Sequence, residues 1–307
     1  MAGGFLSKTG VDWSGKSMLL DHPFVSPDAT LEFFEFPYRH FVIKNLMRPE
    51  IYAAMCARFP EYIGRAPGNH GAVGDSGLYH VGPIYSMREE DCRDGYEFFV
   101  WEGWKAFVAN IFNLALNNHT AYSLHWHSGS PSAPSKSGWS HLDLSICSVL
   151  PSSKAVQVSQ GCNYADDTVL HPETQKVLRS VAMLYYFNNP ENLSESDGGG
   201  TAVYRSYNVN DWVKTIHPYN NSLFGFEVGT SSYHGFVGAN YNRSAMVQWF
   251  HSSPSYIVHR NLPQFKERAR HQGELFERWK KESLWQLDMD PDYGKYFSAP
   301  LSEVLRA

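Results

Sequence analysis

Apolar residues along this chain keep a helical period near its start, change to a strand period in its middle and return to a helical one at its end. After Pro49, a residue suited to the first turn of a helix, Tyr52, Met55, Cys56 and Phe59 follow at i, i+3, i+4 and i+7, the spacing of one buried helical stripe. Pro60 should stop that helix, because it lacks an N–H and its ring collides with the preceding turn. A second helical stripe runs from Phe98 through Trp101, Trp104, Val108, Ile111, Phe112 and Ala115, and its tryptophans read as packing on a sheet. Ahead of both, Phe33 to Pro37 and Phe41 to Ile43 read as short extended pieces. Beyond residue 260, Phe265, Ala269, Phe276 and Trp279 lie on one face of a last helix.

The texture between residues 120 and 251 is that of strands. Tyr122, Leu124 and Trp126 alternate with other residues, as on a half-buried strand. A Ser/Gly/Pro turn region (128–138) leads to His141, whose strand is expected to continue through Leu142, Leu144 and Ile146. Residues 151–178 are polar and read as an insert. Val181 to Phe187 is a continuous apolar run fit for a buried strand. A turn ending in Gly198-Gly199-Gly200 follows, then extended segments at Thr201–Tyr204, Ser222–Val228, Tyr233–Val237 and Ser244–Phe250. Many short strands separated by turns suggest a sandwich or barrel. The expected organisation is one structural domain: an N-terminal helical support region (1–119), a β core (120–252, insert 151–178) and a C-terminal helical extension (253–307).

Composition narrows the function classes. The hydrophobic share of 43% supports a real core. The net charge of −5 and the lack of any Lys/Arg run argue against nucleic-acid binding, which needs a basic footprint. No stretch approaches the roughly 20 apolar residues of a membrane span. The start lacks a basic region followed by an apolar run, so no signal peptide is expected. Cys56, Cys92, Cys147 and Cys162 show no C-x-x-C spacing and read as free thiols of a reducing compartment. A cytoplasmic protein acting on a small-molecule substrate, without nucleic-acid or membrane partners, is the expectation. Residues 64–83 carry six Gly and two Pro without either phosphate-loop signature, so they read as a loop, either a lid or a surface excursion.

His141 and Asp143 offer the sharpest chemistry. Two residues apart, they share one face of a strand. Two histidines and a carboxylate form the ligand set of a non-haem Fe(II) site with open positions, and His234 in Tyr233-His234-Gly235 is the candidate third donor. With 14 histidines in the chain, His-x-Asp alone is a weak signal. His171-Pro172-Glu173 offers the same donors but sits in the polar insert and reads as surface loop. His125-Trp126-His127 reads as strand packing and pocket lining.

The order of the later motifs adds specificity. His141-x-Asp143, Tyr185-Tyr186-Phe187-Asn188, Gly198-Gly199-Gly200-Thr201, Ser222 to Phe226, His234 and then Arg243, nine positions on, follow in sequence. Over residues 120–251 this resembles the Fe(II)- and 2-oxoglutarate-dependent dioxygenases, in their prolyl-hydroxylase-like branch. The resemblance implies a mainly β fold with flanking helices and a double-stranded β-helix (jelly-roll) core. It implies His141, Asp143 and His234 as iron ligands, Arg243 pairing the distal carboxylate of 2-oxoglutarate, and Tyr186 as a second contact, with Tyr185 facing the other side. Dioxygen would be the oxidant, and succinate and CO2 the co-products of hydroxylating an aliphatic C–H. Relatives that halogenate carry a small residue where Asp143 stands, so an aspartate favours hydroxylation over halogenation and leaves desaturation or ring formation as alternatives. The tyrosine-proline-glycine lead of the family is absent, with Trp126, His127 and Gly129 nearby instead. Trp126, His127, Trp139, Arg205 and Tyr233 are the candidates around the mouth and point to a small polar or aromatic substrate. A peptidyl (prolyl-type) substrate, a catalytically silent binding barrel, and a cupin-like isomerase or zinc protein are the alternatives.

Overall fold

The period-two segments pair into two antiparallel sheets. The computed structural model describes residues 19, 21–66, 81–87, 91–129, 140–143, 146–149, 175–206, 208–253, 256, 257 and 260. The larger sheet contains β1 (Thr30–Phe34), β2 (His40–Lys44), β3 (Val81–Ser86), β4 (Thr120–His127), β5 (Ile146–Val149), β6 (Gln175–Tyr186), β9 (Ser222–Glu227) and β11 (Arg243–Ser252), in the order β1-β2-β9-β6-β11-β4-β3 with β5 on β6. The smaller sheet has the order β10-β7-β8, from β7 (Thr201–Tyr204), β8 (Trp212–Ile216) and β10 (His234–Phe236). His141 joins this sheet by a single antiparallel bridge to His234. From β4 to β11 the chain therefore passes back and forth between the sheets, which is the winding of a double-stranded β-helix.

Alternation gives each central strand two buried faces with different tasks. On β11, Trp249 turns between the sheets while Gln248 turns outward, where its amide accepts from Trp104 Nε1 at 3.0 Å and donates to Phe99 O at 2.8 Å. The outward face is covered by α1 (Pro49–Gly64), α2 (Glu102–Phe112) and a 3-10 turn at Tyr96–Val100. Phe98, Phe99, Trp104, Phe107 and Phe112 are buried there in one cluster with Tyr185 and Phe187. Each such side chain contributes roughly 1.5–3 kcal/mol of burial, which explains why both faces of β6 read as apolar. Asn113 closes α2 in the left-handed conformation (φ 52), a role asparagine tolerates.

Several expectations are corrected. α1 runs through Pro60 to Gly64, because Tyr62 beyond the proline is fully buried and its hydroxyl donates to Asp91 O. That packing offsets the roughly 3 kcal/mol a helix-interior proline costs. Val81 to Pro83, expected in a loop, belong to β3, which among the described residues is an edge strand on β4 with an irregular register between Val81 and Ile84, the setting that tolerates Pro and Gly in a sheet. Residues 175–178, expected in the insert, open β6 and pair with β5. The strand expected through His141 and Leu142 is one bridge, and Ile146 instead pairs with Leu178 of the larger sheet. β8 was not legible: its burial is slight and Trp212 is exposed. The N-terminal segment supplies β1, β2 and β3 to the large sheet besides its helices. Trp139, the residues 151–174 with His171 and Glu173, and the segment expected to form a C-terminal helix, Phe265 to Trp279, lie outside the described residues. Among the described residues, no helix is long and apolar enough to cross a membrane, and Cys56 is a free thiol.

Candidate metal centre and its surroundings

Three separate segments meet between the sheets. The backbones of His141 and His234 exchange hydrogen bonds of 2.9 and 3.1 Å, which brings their rings to 4.3 Å. Asp143, two residues on, presents Oδ1 at 3.8 Å from Nε2 of both histidines. One donor atom from each of the three lies within 4.8 Å of the others. His234 Nδ1 donates to Ser232 O at 2.9 Å, since a carbonyl can only accept. That bond leaves Nε2 with its lone pair toward the other two donors.

The electrostatics favour an ionised carboxylate beside neutral imidazole. Burial alone would push the Asp143 carboxyl up, but the facing His234, then Arg179 and His141, with the Trp249 N–H, hold it at about 2. Burial and the neighbouring His141 bring His234 down to about 4, against the opposing pull of Asp143. A carboxylate with two neutral imidazoles is the protonation state a divalent cation requires. The chemistry and convergence of this donor set fit Fe(II).

Trp249 and Arg179 belong to the same centre, and their part was not read from the sequence. Trp249 Nε1 donates to Oδ2 of Asp143 at 2.9 Å, leaving Oδ1 to face the histidines. The Arg179 guanidinium stacks on the Trp249 ring at 4.2 Å. The available signal was a charged residue at the head of the apolar run of β6, where an arginine is buried only with a purpose.

Along β6 from this centre lies a second constellation. Ala182 pairs with Trp249 and Tyr186 with Ala245, and four residues of strand span about 13 Å. Arg243, 3% exposed, stands opposite His127 in the β4–β11 register. Its guanidinium lies 5.1 Å from the Tyr186 ring and 4.9 Å from that of Phe236. Its Nε and Nη2 find no hydrogen-bond partner among the described residues. A buried, unsatisfied guanidinium is costly, and its planar fork matches a carboxylate, so the distal carboxylate of 2-oxoglutarate fits here. Tyr186 hydrogen-bonds Thr201 Oγ1 at 2.7 Å across the sheets. Burial raises its phenol, opposed by Arg243. Tyr185 faces the helices, its hydroxyl donating to Asn221 Oδ1 at 2.8 Å. His127 stacks on Phe236 at 4.9 Å and is kept neutral by burial and by Arg243.

The remaining mouth candidates disperse. Arg205 is exposed, its guanidinium 5.2 Å from the Phe36 ring, away from the Arg243 wall. Tyr233 is buried with Ala202 and Tyr204, and Trp126 is half-buried against the main core.

No family model and no curated protein matches this sequence. Among solved structures, a prolyl-4-hydroxylase of Pseudomonas putida is similar at TM-score 0.39 and 16% identity over 66% of this chain and 84% of that one. A prolyl hydroxylase of Trichoplax adhaerens, solved with a hypoxia inducible factor oxygen degradation domain peptide fragment, gives 0.43 and 16% over 69% and 82%. A prolyl 4-hydroxylase of Phytophthora capsici gives 0.44 and 12% over 98% and 87%. The strand order, rather than these scores, identifies the chain's fold as a double-stranded β-helix, the jelly-roll architecture in which it resembles the Fe(II)- and 2-oxoglutarate-dependent oxygenases.

Proposed function

We propose that the protein is an Fe(II)- and 2-oxoglutarate-dependent oxygenase that hydroxylates an aliphatic C–H of a small polar or aromatic molecule, with succinate and CO2 as co-products. One observation carries the reading: the interior that gathers His141, Asp143 and His234 within 4.8 Å also holds the buried Arg243 guanidinium, whose Nε and Nη2 have no hydrogen-bond partner among the described residues. A structural metal site has no use for that second feature.

His141 and His234 would supply neutral nitrogen donors and Asp143 one oxygen, a trio that leaves coordination positions open. When bound, iron with 2-oxoglutarate and dioxygen supplies the oxidation. The chain's own part is to place and to shield. Trp249 fixes the rotation of the Asp143 carboxylate, and Arg243 with Tyr186 orients a dicarboxylate toward the metal end. The apolar ring of Phe226, 4.6 Å from that of His234, excludes water from the reacting side.

The test is anaerobic addition of Fe(II) and 2-oxoglutarate, watching for the visible charge-transfer band of the chelate, followed by succinate assay in air. His234→Ala should abolish both the band and succinate formation. Undiminished iron content and turnover in that variant would overturn the ligand assignment.

A further inference from the structure

Tyr38 and His40 are the buried polar groups near the metal centre for which the proposed chemistry has no use. Tyr38 lies in the turn between β1 and β2 and His40 opens β2, a part of the chain with no role in the ligand set. Tyr38 is 6% exposed and His40 fully buried. Neither Tyr38 Oη nor His40 Nε2 has a hydrogen-bond partner among the described residues. Their rings lie 5.6 Å apart on one aromatic wall. Phe226 is 5.9 Å from Tyr38 and 4.6 Å from His234; Phe224 is 5.8 Å from His40 and 5.2 Å from Phe226. A single phenylalanine ring thus separates Tyr38 from a candidate metal ligand.

The turn is clamped. Arg39, between the two residues, donates to Ile111 O at 3.1 Å and Phe112 O at 2.5 Å at the end of α2 and pairs with Glu227 at 3.2 Å. A cation belongs at a helix C-terminus, so Tyr38 and His40 are held by a rigid anchor. Leaving two buried polar atoms unsatisfied on so fixed a support is costly, a cost a ligand would remove.

The hydrogen-bond roles are decided by the neighbours. His40 Nδ1 lies 2.8 Å from Tyr38 O; a carbonyl accepts, so Nδ1 carries the proton. Burial holds the ring neutral, at about 4, so Nε2 is an acceptor. Burial, with Asp143 and then Tyr186 adding to it, pushes the Tyr38 phenol well above its ordinary range, so its hydroxyl stays protonated and donates. With their rings 5.6 Å apart, the two residues therefore bring one donor and one acceptor to the same wall. An amide offers the complement, its C=O to Tyr38 and its N–H to His40, whereas a carboxylate leaves His40 unmatched.

We propose that Tyr38 and His40 form a substrate subsite beside the metal centre that recognises an amide group. This rests on the oxygenase reading and names its substrate class: a carboxamide-bearing small molecule or a peptide unit.

The test places 3-fluorotyrosine at position 38 alone and reads its fluorine resonance in protein loaded with Co(II) and saturated with 2-oxoglutarate. The probes are acetamide, N-acetyl-L-alanine N-methylamide and acetate. Co(II) should shift and broaden the resonance, while a label at Tyr62, whose hydroxyl is already bound to Asp91 O, should stay put. At least one amide should then shift it saturably, with an affinity about fivefold or more above that of acetate, and His40→Gln should reduce that preference. A response to acetamide alone identifies a primary carboxamide as the source, and a response to the blocked alanine identifies a peptide unit. Failure of Co(II) to bind would sink the metal reading itself. Bound Co(II) with an unmoved label, or equal responses to amides and acetate, would overturn the subsite and leave the metal reading standing.

Discussion

Replacing Trp249 with phenylalanine removes one N–H and keeps an aromatic ring beneath Arg179. That N–H donates to Oδ2 of Asp143 at 2.9 Å, while Oδ1 stands 3.8 Å from each histidine Nε2. The bond therefore fixes which oxygen faces the two histidines. A hydrogen bond to a charged group contributes about 1.5–3 kcal/mol, and losing an outer partner of a metal ligand costs about 10- to 100-fold in affinity. The two ranges agree, since about 1.4 kcal/mol is tenfold. Proton competition adds nothing at neutral pH: Asp143 sits at about 2, and losing one of several groups that hold it down leaves it ionised at pH 7. The expected result is a 10- to 100-fold weaker Co(II) affinity for Trp249→Phe, of equal size at pH 6.5 and pH 8, read by calorimetry or by the visible absorption of bound Co(II). Wild-type affinity in the variant would refute the positioning role. A deficit that disappears at pH 8 would mean the indole acts on protonation instead.

Arg243→Ala should weaken 2-oxoglutarate binding by about tenfold or more, the loss of a charge-assisted pair, and Arg243→Lys should recover only part because one ammonium cannot reproduce the fork; calorimetry with unchanged affinity for Arg243→Ala would transfer that carboxylate to another cation. Acid should destabilise the fold early. Burial is the main reason His40, His125 and His251 are held neutral, at about 4, 3 and 3, whereas each takes a proton near 6.5 once unfolded. The unfolded chain then binds about three more protons at pH 5, so stability falls with acidification below about 6.5, by on the order of 4 kcal/mol per pH unit near pH 5; equal denaturant midpoints at pH 7 and pH 5 would contradict this. On the proposed function, Asp143 as an iron ligand would take the position a halide needs, so the product should gain one oxygen atom from labelled dioxygen even in saturating chloride. A chlorinated product would remove Asp143 from the ligand set, and an unlabelled product two hydrogens lighter would replace hydroxylation with desaturation.

The sequence by itself determined the local periods and the donors. The helical stripe of Tyr52 to Phe59 reports the buried face of its helix, whereas the alternation of Tyr122 to Trp126 marks a strand but not its burial: the half-buried strand it predicts is buried on both faces, with Ala121 and Ser123 as enclosed as Tyr122 and Leu124. His141 and Asp143 are singled out by their spacing only together with the order of the motifs that follow them. What tertiary structure decided is everything set by contacts between distant segments. Pro60 remains inside a helix because Tyr62 finds a fully buried site against residues far along the chain. Trp249 reads as one more apolar strand residue until the two sheets set its indole against Asp143. The segment carrying Tyr38 and His40 is unremarkable in sequence, since an unsatisfied hydroxyl or imidazole can be recognised only when all its neighbours are known. A period records one face of one element, whereas a site is made where the faces of several elements meet, and only the folded chain decides which faces those are.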